Sequence, residues 1–171
     1  MTRKHFWTIL GFLAFMFFLM APATRAQLLK DFEVKESTQR DRYGEIIWEL
    51  KYLGNNVTRL QSIGGKPLLN TLQSLPDKSQ SKLFRLDYDA GIMGTRILSH
   101  LKRSLVFRIQ GQEAFPHLDF LLEVDRRHLG KEHSLEAREF LWKDGTLSIG
   151  SIEDEAAKKY RWTGNSFVFI P

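Results

Sequence analysis

Apolar and charged side chains alternate along several segments of the chain, which is the period-two pattern of a strand with one buried face. The most regular segment runs from Glu45 to Tyr52 and is rich in β-branched and aromatic residues, although Ile47 departs from the alternation. Comparable runs predict further strands over residues 32–36, 84–88, 105–109, 118–124, 146–149, 160–162 and 166–170.

Glycine, asparagine and aspartate between these segments predict tight turns, because these residues tolerate positive φ. Lys143-Asp144-Gly145 and Thr163-Gly164-Asn165 predict two hairpins near the C-terminus, and Gly54-Asn55-Asn56 predicts a third. Residues 57–63 are expected to pair back on the preceding strand. The polar segment 126–133, which contains Gly130, predicts a hairpin loop.

Two segments predict short helices. Residues 66–75 have a proline at the second position and leucines at 68, 69, 72 and 75, which would form one apolar helical face. Residues 151–159 predict a shorter helical turn. Residues 95–102 and 135–142 fit either a helix or a strand, because their composition suits both.

These elements predict a mainly β fold, either a small antiparallel β-barrel or a sandwich with one or two short helices, and α+β is the alternative. Strands and helices do not alternate in βαβ order, which argues against a parallel doubly wound sheet. The residues expected in the core are Ile46, Trp48, Leu50, Phe84, Leu86, Phe107, Ile109, Phe120, Leu122, Val124, Phe167 and Phe169.

The first 26 residues have the order of a secretory signal peptide. Arg3 and Lys4 precede an uncharged, largely apolar run from Phe6 to Ala21, and Pro22 and small residues follow it. This pattern predicts cleavage after Ala26, a single exported β-rich domain over residues 27–171, and a secreted or periplasmic location. The run is shorter than a spanning helix requires, so an uncleaved membrane anchor is the alternative, and membrane contact is expected only through the leader during export.

The charge and the cysteine count exclude several classes of function. The formal net charge of +5 falls to +2 when Arg3, Lys4 and Arg25 leave with the leader, so the sequence lacks the basic stripe typical of nucleic-acid binding. The chain contains no cysteine, which rules out disulfides, thiolate metal sites and a cysteine nucleophile. No motif indicates a cofactor, and no catalytic residue is assigned.

Two polar motifs suggest metal chemistry. His128 and His133 flank the predicted loop, with Asp125 and Glu132 nearby, and imidazole with carboxylate suits Zn²⁺ or Cu²⁺. The segment Asp87-Tyr88-Asp89-Ala90-Gly91 has the D-x-D-x-G spacing of a partial calcium loop, but its later positions exclude an EF-hand. Solvated loop residues are the competing interpretation for both motifs.

Aromatic residues beside the C-terminal turns suggest a binding patch. Trp142, Tyr160 and Trp162 would offer flat rings to a sugar or a protein, although aromatic residues that close the ends of a core would have the same positions. Asn56-Val57-Thr58 is a glycosylation sequon in a eukaryotic secretory pathway.

The sequence therefore predicts a non-catalytic exported protein that binds a protein, a glycan or another envelope component. The first alternative is a metal-binding protein or metal-dependent hydrolase that uses His128 and His133. The second is a structural or chaperone-like envelope component. The oligomeric state is left open.

Overall fold

The computed structural model describes residues 29–40, 42, 44, 46–59, 65–76, 82–94, 97–111, 113–128, 131–152 and 155–171, without the side chains of residues 56–59, 128, 131 and 132. The predicted leader and its cleavage site lie outside these ranges, as does the side chain of Asn56 in the sequon. Within the described ranges, no helix has both the length and the apolar character needed to cross a bilayer.

The described residues form three antiparallel sheets. The first has the order β1-β2-β3, with β1 Phe32–Arg40, β2 Ile46–Tyr52 and β3 Asn55–Arg59. The central sheet has the order β4-β6-β7-β8-β9, and β5 also pairs with β6; its strands are β4 Lys66–Pro67, β5 Gln73–Leu75, β6 Lys82–Met93, β7 Ile97–Gln110, β8 Glu113–His128 and β9 Lys131–Ala137. The third has the order β10-β11-β12-β13, with β10 Phe140–Lys143, β11 Thr146–Ile149, β12 Lys158–Trp162 and β13 Phe167–Ile170.

One face of the central sheet packs against the first sheet. The register pairs Phe84 with Phe107 and Leu86 with Leu105, so these four side chains share that face. Phe84 and Phe107 stack with their ring centroids 5.7 Å apart, and Phe32 of β1 meets the ring of Phe84 edge-on at 5.4 Å. This cluster forms one half of the hydrophobic core.

The opposite face of the central sheet packs against the third sheet. Leu83 and Val106 contribute to it from β6 and β7, and Phe120 contributes from β8. Leu147, Ile149 and Trp162 cover them from the third sheet, as the other members of this second cluster. The central strands are therefore buried on both faces, which explains why their buried residues occur in runs rather than in strict alternation.

The prediction of a mainly β fold built from antiparallel strands is confirmed. No sheet in the described ranges closes into a barrel; the three sheets are open, and two interfaces between them bury the core. The two ambiguous segments contain strands: β7 begins at Ile97, and the second segment divides between β9 and β10.

The predicted helix over residues 66–75 is wrong. This segment contains β4, a 3-10 turn at Leu69–Thr71 and β5, and both short strands pair with β6. Leu72 and Leu75 are buried as the helical pattern required, but they reach the core from a chain that follows the edge of the central sheet. Pro67 is compatible with this arrangement because an edge strand tolerates the loss of one N–H donor.

Eight of the twelve residues predicted in the core are buried, and four are not. Ile46, Trp48 and Phe167 are only partly buried, and Phe169 is 55% exposed at the end of β13. Ile47, which departed from the alternation, is 1% exposed, so both faces of β2 bury a side chain.

Two predicted hairpins turn where glycine permits positive φ. Asp144 and Gly145 have φ of 48° and 74°, which is the backbone of a type I′ turn between β10 and β11. The turn between β2 and β3 uses Leu53 and Gly54, with φ of 49° and 83°, one residue earlier than predicted. The chain reversal at residues 129–130 lies outside the described ranges.

Candidate functional site

The central sheet is longer than the two layers that cover it. Residues 83–88 of β6, 103–109 of β7 and 118–122 of β8 form the covered half, which contacts both neighbouring sheets. Residues 89–93, 97–102 and 123–128 continue the same strands as an open half, and β9 pairs with β8 there. Most side chains of the open half are exposed or only partly buried.

The end of the open half is apolar. Ile92, Met93, Ile97 and Leu98 flank the connection between β6 and β7, and we call these four residues the apolar tip. All four are exposed, and Ile92 and Met93 are 67% and 61% exposed. The tip therefore places large apolar side chains in water at the point of the molecule where the strands reverse.

The apolar tip has apolar side chains on both faces of the sheet. Ile92 pairs with His100, so it shares one face with Leu98, which lies two residues before His100. Met93 pairs with Ser99, so it shares the other face with Ile97. Among the described residues, neither hydrophobic cluster includes any of these four side chains.

Charged residues lie beside the apolar tip, on the neighbouring strand β8. Leu98 pairs with Arg127 and Ser99 pairs with Arg126 across β7 and β8. The side chain of Arg127 is 72% exposed and forms an ion pair with Asp125 at 3.3 Å, whereas Arg126 forms a closer ion pair with Glu136. Arg127 thus presents a cation to solvent beside the tip.

A small crevice of about 150 Å³ lies where β8 meets the third sheet, and Tyr160 lines it. Arg103 and Asp119 form an ion pair in its wall at 2.8 Å, and the hydroxyl of Tyr88 donates to Asp119 at 2.8 Å. Burial, reinforced by the hydrogen bond and charge of Asp119, raises the pKa of Tyr88 far above its usual range. Tyr88 therefore remains a neutral hydrogen-bond donor rather than an acid–base group.

Glu155 lies in the same crevice and joins it to an open depression of about 820 Å³ beside β9. The fully buried side chain of Arg138 donates through Nη2 to the Glu155 carboxylate at 2.7 Å. Burial acts to raise the pKa of Glu155, but the hydrogen bond and charge of Arg138, assisted by Lys158, outweigh it and lower the pKa. The pair fixes the segment before β12 onto the end of β9.

The three aromatic residues predicted to bind a ligand converge on Phe167. Its ring centroid lies 4.9 Å from Trp162, 6.1 Å from Trp142 and 6.5 Å from Tyr160. Trp162 is 6% exposed and belongs to the core, and the indole N–H of Trp142 donates to the carbonyl oxygen of Pro76. Tyr160 and Trp142 are half-buried, so each presents part of its ring at the edge of the third sheet.

The two aspartates of the D-x-D-x-G motif have separate protein partners. Asp87 is buried, accepts a bidentate pair of hydrogen bonds from Arg85 at 3.0 Å, and accepts a third from Ser104 at 2.8 Å. Asp89 instead contacts His100 and the backbone N–H of Gly91. We call Arg85, Asp87 and Ser104 the central polar cluster; it lies on the face toward the third sheet, with the guanidinium of Arg85 4.1 Å from the ring centre of Phe140.

The register does not place the two predicted metal-binding histidines directly opposite each other. His133 pairs with Arg127, and its imidazole Nε2 lies 2.7 Å from a carboxylate oxygen of Asp125. His128 pairs with Lys131, and its side chain lies outside what the structure describes. In the described part of the chain, no three His, Asp or Glu side chains are grouped so that they could hold a metal ion.

Comparison of this chain with protein-family models, with curated proteins and with solved structures finds no match. The function must therefore be argued from the surface and the sites described above.

Sequence reasoning missed the apolar tip. From the sequence alone, residues 89–94 with their two glycines predict a turn. Gly91 and Gly94 do adopt positive φ, at 81° and 98°, but β6 continues through Met93. The pattern that could have revealed the tip is the pair Ile92-Met93, which is apolar where a solvent-exposed turn is normally polar.

Proposed function

We propose that this chain is an exported, non-catalytic binding protein of the cell envelope, and that it engages its partner through the apolar tip. The observation that supports this proposal most is the concentration of exposed apolar side chains at the end of the open half. Of the ten large hydrophobic residues exposed in the described ranges, four belong to the tip.

Apolar surface exposed to water is unfavourable by about 25 cal/mol for each Å² that a partner could cover. Isolated exposed apolar residues are common, but a contiguous group at a protruding end is typical of an interaction surface. The ionisable groups of the central sheet also support a non-catalytic role. Asp87 and Asp119 are engaged by arginine, and Tyr88 is held neutral, so their arrangement suits structural support better than proton transfer.

Site-specific photo-crosslinking tests this proposal. A photoreactive amino acid replaces Ile92 in one variant and Leu141 in another, because Leu141 is also 59% exposed but lies on the outer face of the third sheet. Each full-length variant is expressed in its native cells and irradiated there. We expect adducts with envelope material from position 92 and few from position 141. Equal adducts from both positions, or none from position 92, would contradict the proposal.

A second contact surface at Trp142 and Tyr160 remains part of the proposal. Phe169 extends it, because its ring lies 5.7 Å from that of Tyr160 and is largely exposed. Tyr160→Ala should weaken the binding of a glycan or protein that stacks on this edge. Trp162→Ala is a poor probe because Trp162 is in the core, so loss of binding in that variant would report unfolding.

The metal-binding alternative is separated from this proposal by calorimetry. A titration of Zn²⁺ or Cu²⁺ into the protein at neutral pH should show no site that His133→Ala abolishes. Stoichiometric binding that is lost in both His133→Ala and His128→Ala would favour the alternative.

A further inference from the structure

We infer that a second copy of this chain pairs with the outer edge of β9, so that the central sheets of the two copies join through antiparallel β9 strands. This interface is an edge of the open half and is separate from the apolar tip. The inference therefore goes beyond the proposed function, and the tip stays free for another partner.

Strand β9 has a strand partner on one side only. It is the last strand in the order of the central sheet, and within the described ranges it pairs with β8 alone. The side chains of His133, Ser134, Leu135 and Ala137 are exposed, and neither hydrophobic cluster of the described residues includes a residue of β9. An open strand edge of this kind is a template for pairing with a further strand.

The hydrogen bonds to β8 show which backbone groups of β9 point outward. The N–H of Arg138 donates to the carbonyl oxygen of Leu122 at 2.8 Å, just beyond the last pair of the ladder. In an antiparallel ladder this bond makes Ala137 part of a non-hydrogen-bonded pair, whose N–H and C=O face away from the neighbouring strand. The same orientation recurs at every second residue, namely at Leu135 and His133. No backbone hydrogen bond between described residues reaches these outward groups.

The outward groups of β9 match those of a second β9. An extended polypeptide offers a complementary row of donors and acceptors, and this chain carries such an edge itself. Two identical edges that pair antiparallel close on a two-fold axis, so every contact is made twice. A register centred on Leu135 sets this residue against its own copy, with His133 against Ala137 on either side. Each of these three pairs would exchange two backbone hydrogen bonds.

The side chains of β9 suit the register centred on Leu135. This side chain is 59% exposed, and opposite its own copy each leucine covers apolar surface of the other. Glu136 lies opposite Ser134, whereas a register centred on Glu136 would set two carboxylates against each other. Glu136 also forms an ion pair with Arg126 of β8, which compensates its charge within its own copy.

The open depression of about 820 Å³ lies along the same edge. It is lined by residues 135–137 of β9 and by residues 151, 152, 155 and 156, which precede β12. In the register centred on Leu135, His133 of the second copy lies beside Ala137, so the second strand would enter this depression. The described residues therefore leave space where the pairing requires it.

Disulfide trapping tests the inference, because the chain has no cysteine of its own. The Cα atoms of Leu135 in the two copies would lie about 5.5 Å apart, which a disulfide can bridge. Those of Ser134 would lie about 8 Å apart, which is beyond that reach. Leu135→Cys and Ser134→Cys are each purified from the native cells and oxidised under the same mild conditions. Both positions are exposed, but we expect cross-linked dimer to form about tenfold faster from position 135.

Sedimentation over a range of protein concentrations tests the backbone pairing. A strand edge is a small interface, so we expect a reversible dimer that dissociates on dilution. Leu135→Pro removes an N–H that faces away from β8, so the variant should keep its urea midpoint but remain monomeric. Leu135→Thr keeps this N–H and favours a strand, so it should still form the dimer.

Equal rates of cross-linking at positions 134 and 135 would overturn the inference, as would a chain that stays monomeric at every concentration. A dimer that persists in Leu135→Pro forms through another surface and would also overturn it. If Leu135→Pro fails to fold, the cross-linking comparison decides, because neither cysteine variant removes a backbone donor.

Discussion

The same three strands form two regions of opposite character. In the covered half, β6, β7 and β8 are buried on both faces, and Phe107 and Val106 on β7 face different neighbouring sheets. In the open half, the same strands lie beyond the covering layers, and Leu98 on β7 is exposed. Continuous backbone pairing therefore gives the open half its shape, while the covered half contributes most of the buried apolar surface.

This difference explains how the chain can expose an apolar surface and remain folded. Folding stability depends on the apolar area removed from water, and both hydrophobic clusters lie in the covered half. The hairpin that forms the tip is held by the pairing of β7 with β8, which in turn pairs with β9, rather than by a core of its own. Substitutions in the two halves should therefore separate stability from binding.

The largest expected effect is that of Phe107→Ala compared with Leu98→Ala on the same strand. Phe107 is fully buried among Phe32 and Phe84, so its loss leaves a cavity and should lower the free energy of unfolding by about 3–5 kcal/mol. Leu98→Ala should change it by less than about 1 kcal/mol, because its side chain is already partly in water. Urea denaturation measures both values, and equal losses would show that the open half has a core of its own.

The two aspartates of β6 provide the next comparison. Asp87→Ala leaves the guanidinium of Arg85 buried without its carboxylate, and should cost about 3–5 kcal/mol. Asp89→Ala removes an exposed contact with His100 and should cost less than about 1 kcal/mol. Arg85→Leu combined with Asp87→Leu should recover part of the loss, because it removes the uncompensated charge. If the two single variants lose equal stability, the central polar cluster is not a buried ion pair.

A smaller effect concerns the pH dependence of the covered half. His117 lies against Trp162, at 5.0 Å between ring centroids, and burial together with the charge of Arg108 lowers its pKa from the usual 6.5. The unfolded chain therefore binds a proton more readily than the native chain, so stability is full above about pH 6.5 and falls as the pH drops toward the lowered pKa.

His117→Phe should keep the aromatic contact with Trp162 and remove this source of acid sensitivity. Urea midpoints measured between pH 7.5 and 5 should therefore fall less in the variant than in the unmodified chain. An identical fall in both proteins would show that other groups cause the acid sensitivity. Glu155 is one such group, and it acts at lower pH because its pKa is also lowered.

Much of the covered half could be predicted from the sequence. Alternation located Phe84, Leu86 and Phe107 in the core, and the Asp144-Gly145 turn was placed correctly because its residues favour positive φ. The sequence alone could not reject the helix over residues 66–75, because apolar residues at positions 68, 69, 72 and 75 fit a helix. The extended form is selected by pairing with β6, which is a tertiary contact.

The candidate site was harder to predict because it depends on where the covering layers end. Ile92 and Leu98 are of types normally found in a core, yet both are exposed and belong to neither hydrophobic cluster of the described residues. Similarly, Trp162 and Tyr160 share a face in the sequence pattern, yet only Trp162 is buried in the second cluster, and Tyr160 packs against that cluster while partly exposed.

The most direct test of the central claim uses the absence of cysteine from the chain, which allows a single label to be introduced. An environment-sensitive fluorophore is attached at Leu98→Cys in the apolar tip, or at Arg161→Cys on the exposed outer face of the third sheet. When the envelope fraction of the native cells is added, the emission from position 98 should shift to shorter wavelength and that from position 161 should not. Equal shifts at both positions, or no shift at position 98, would contradict the account.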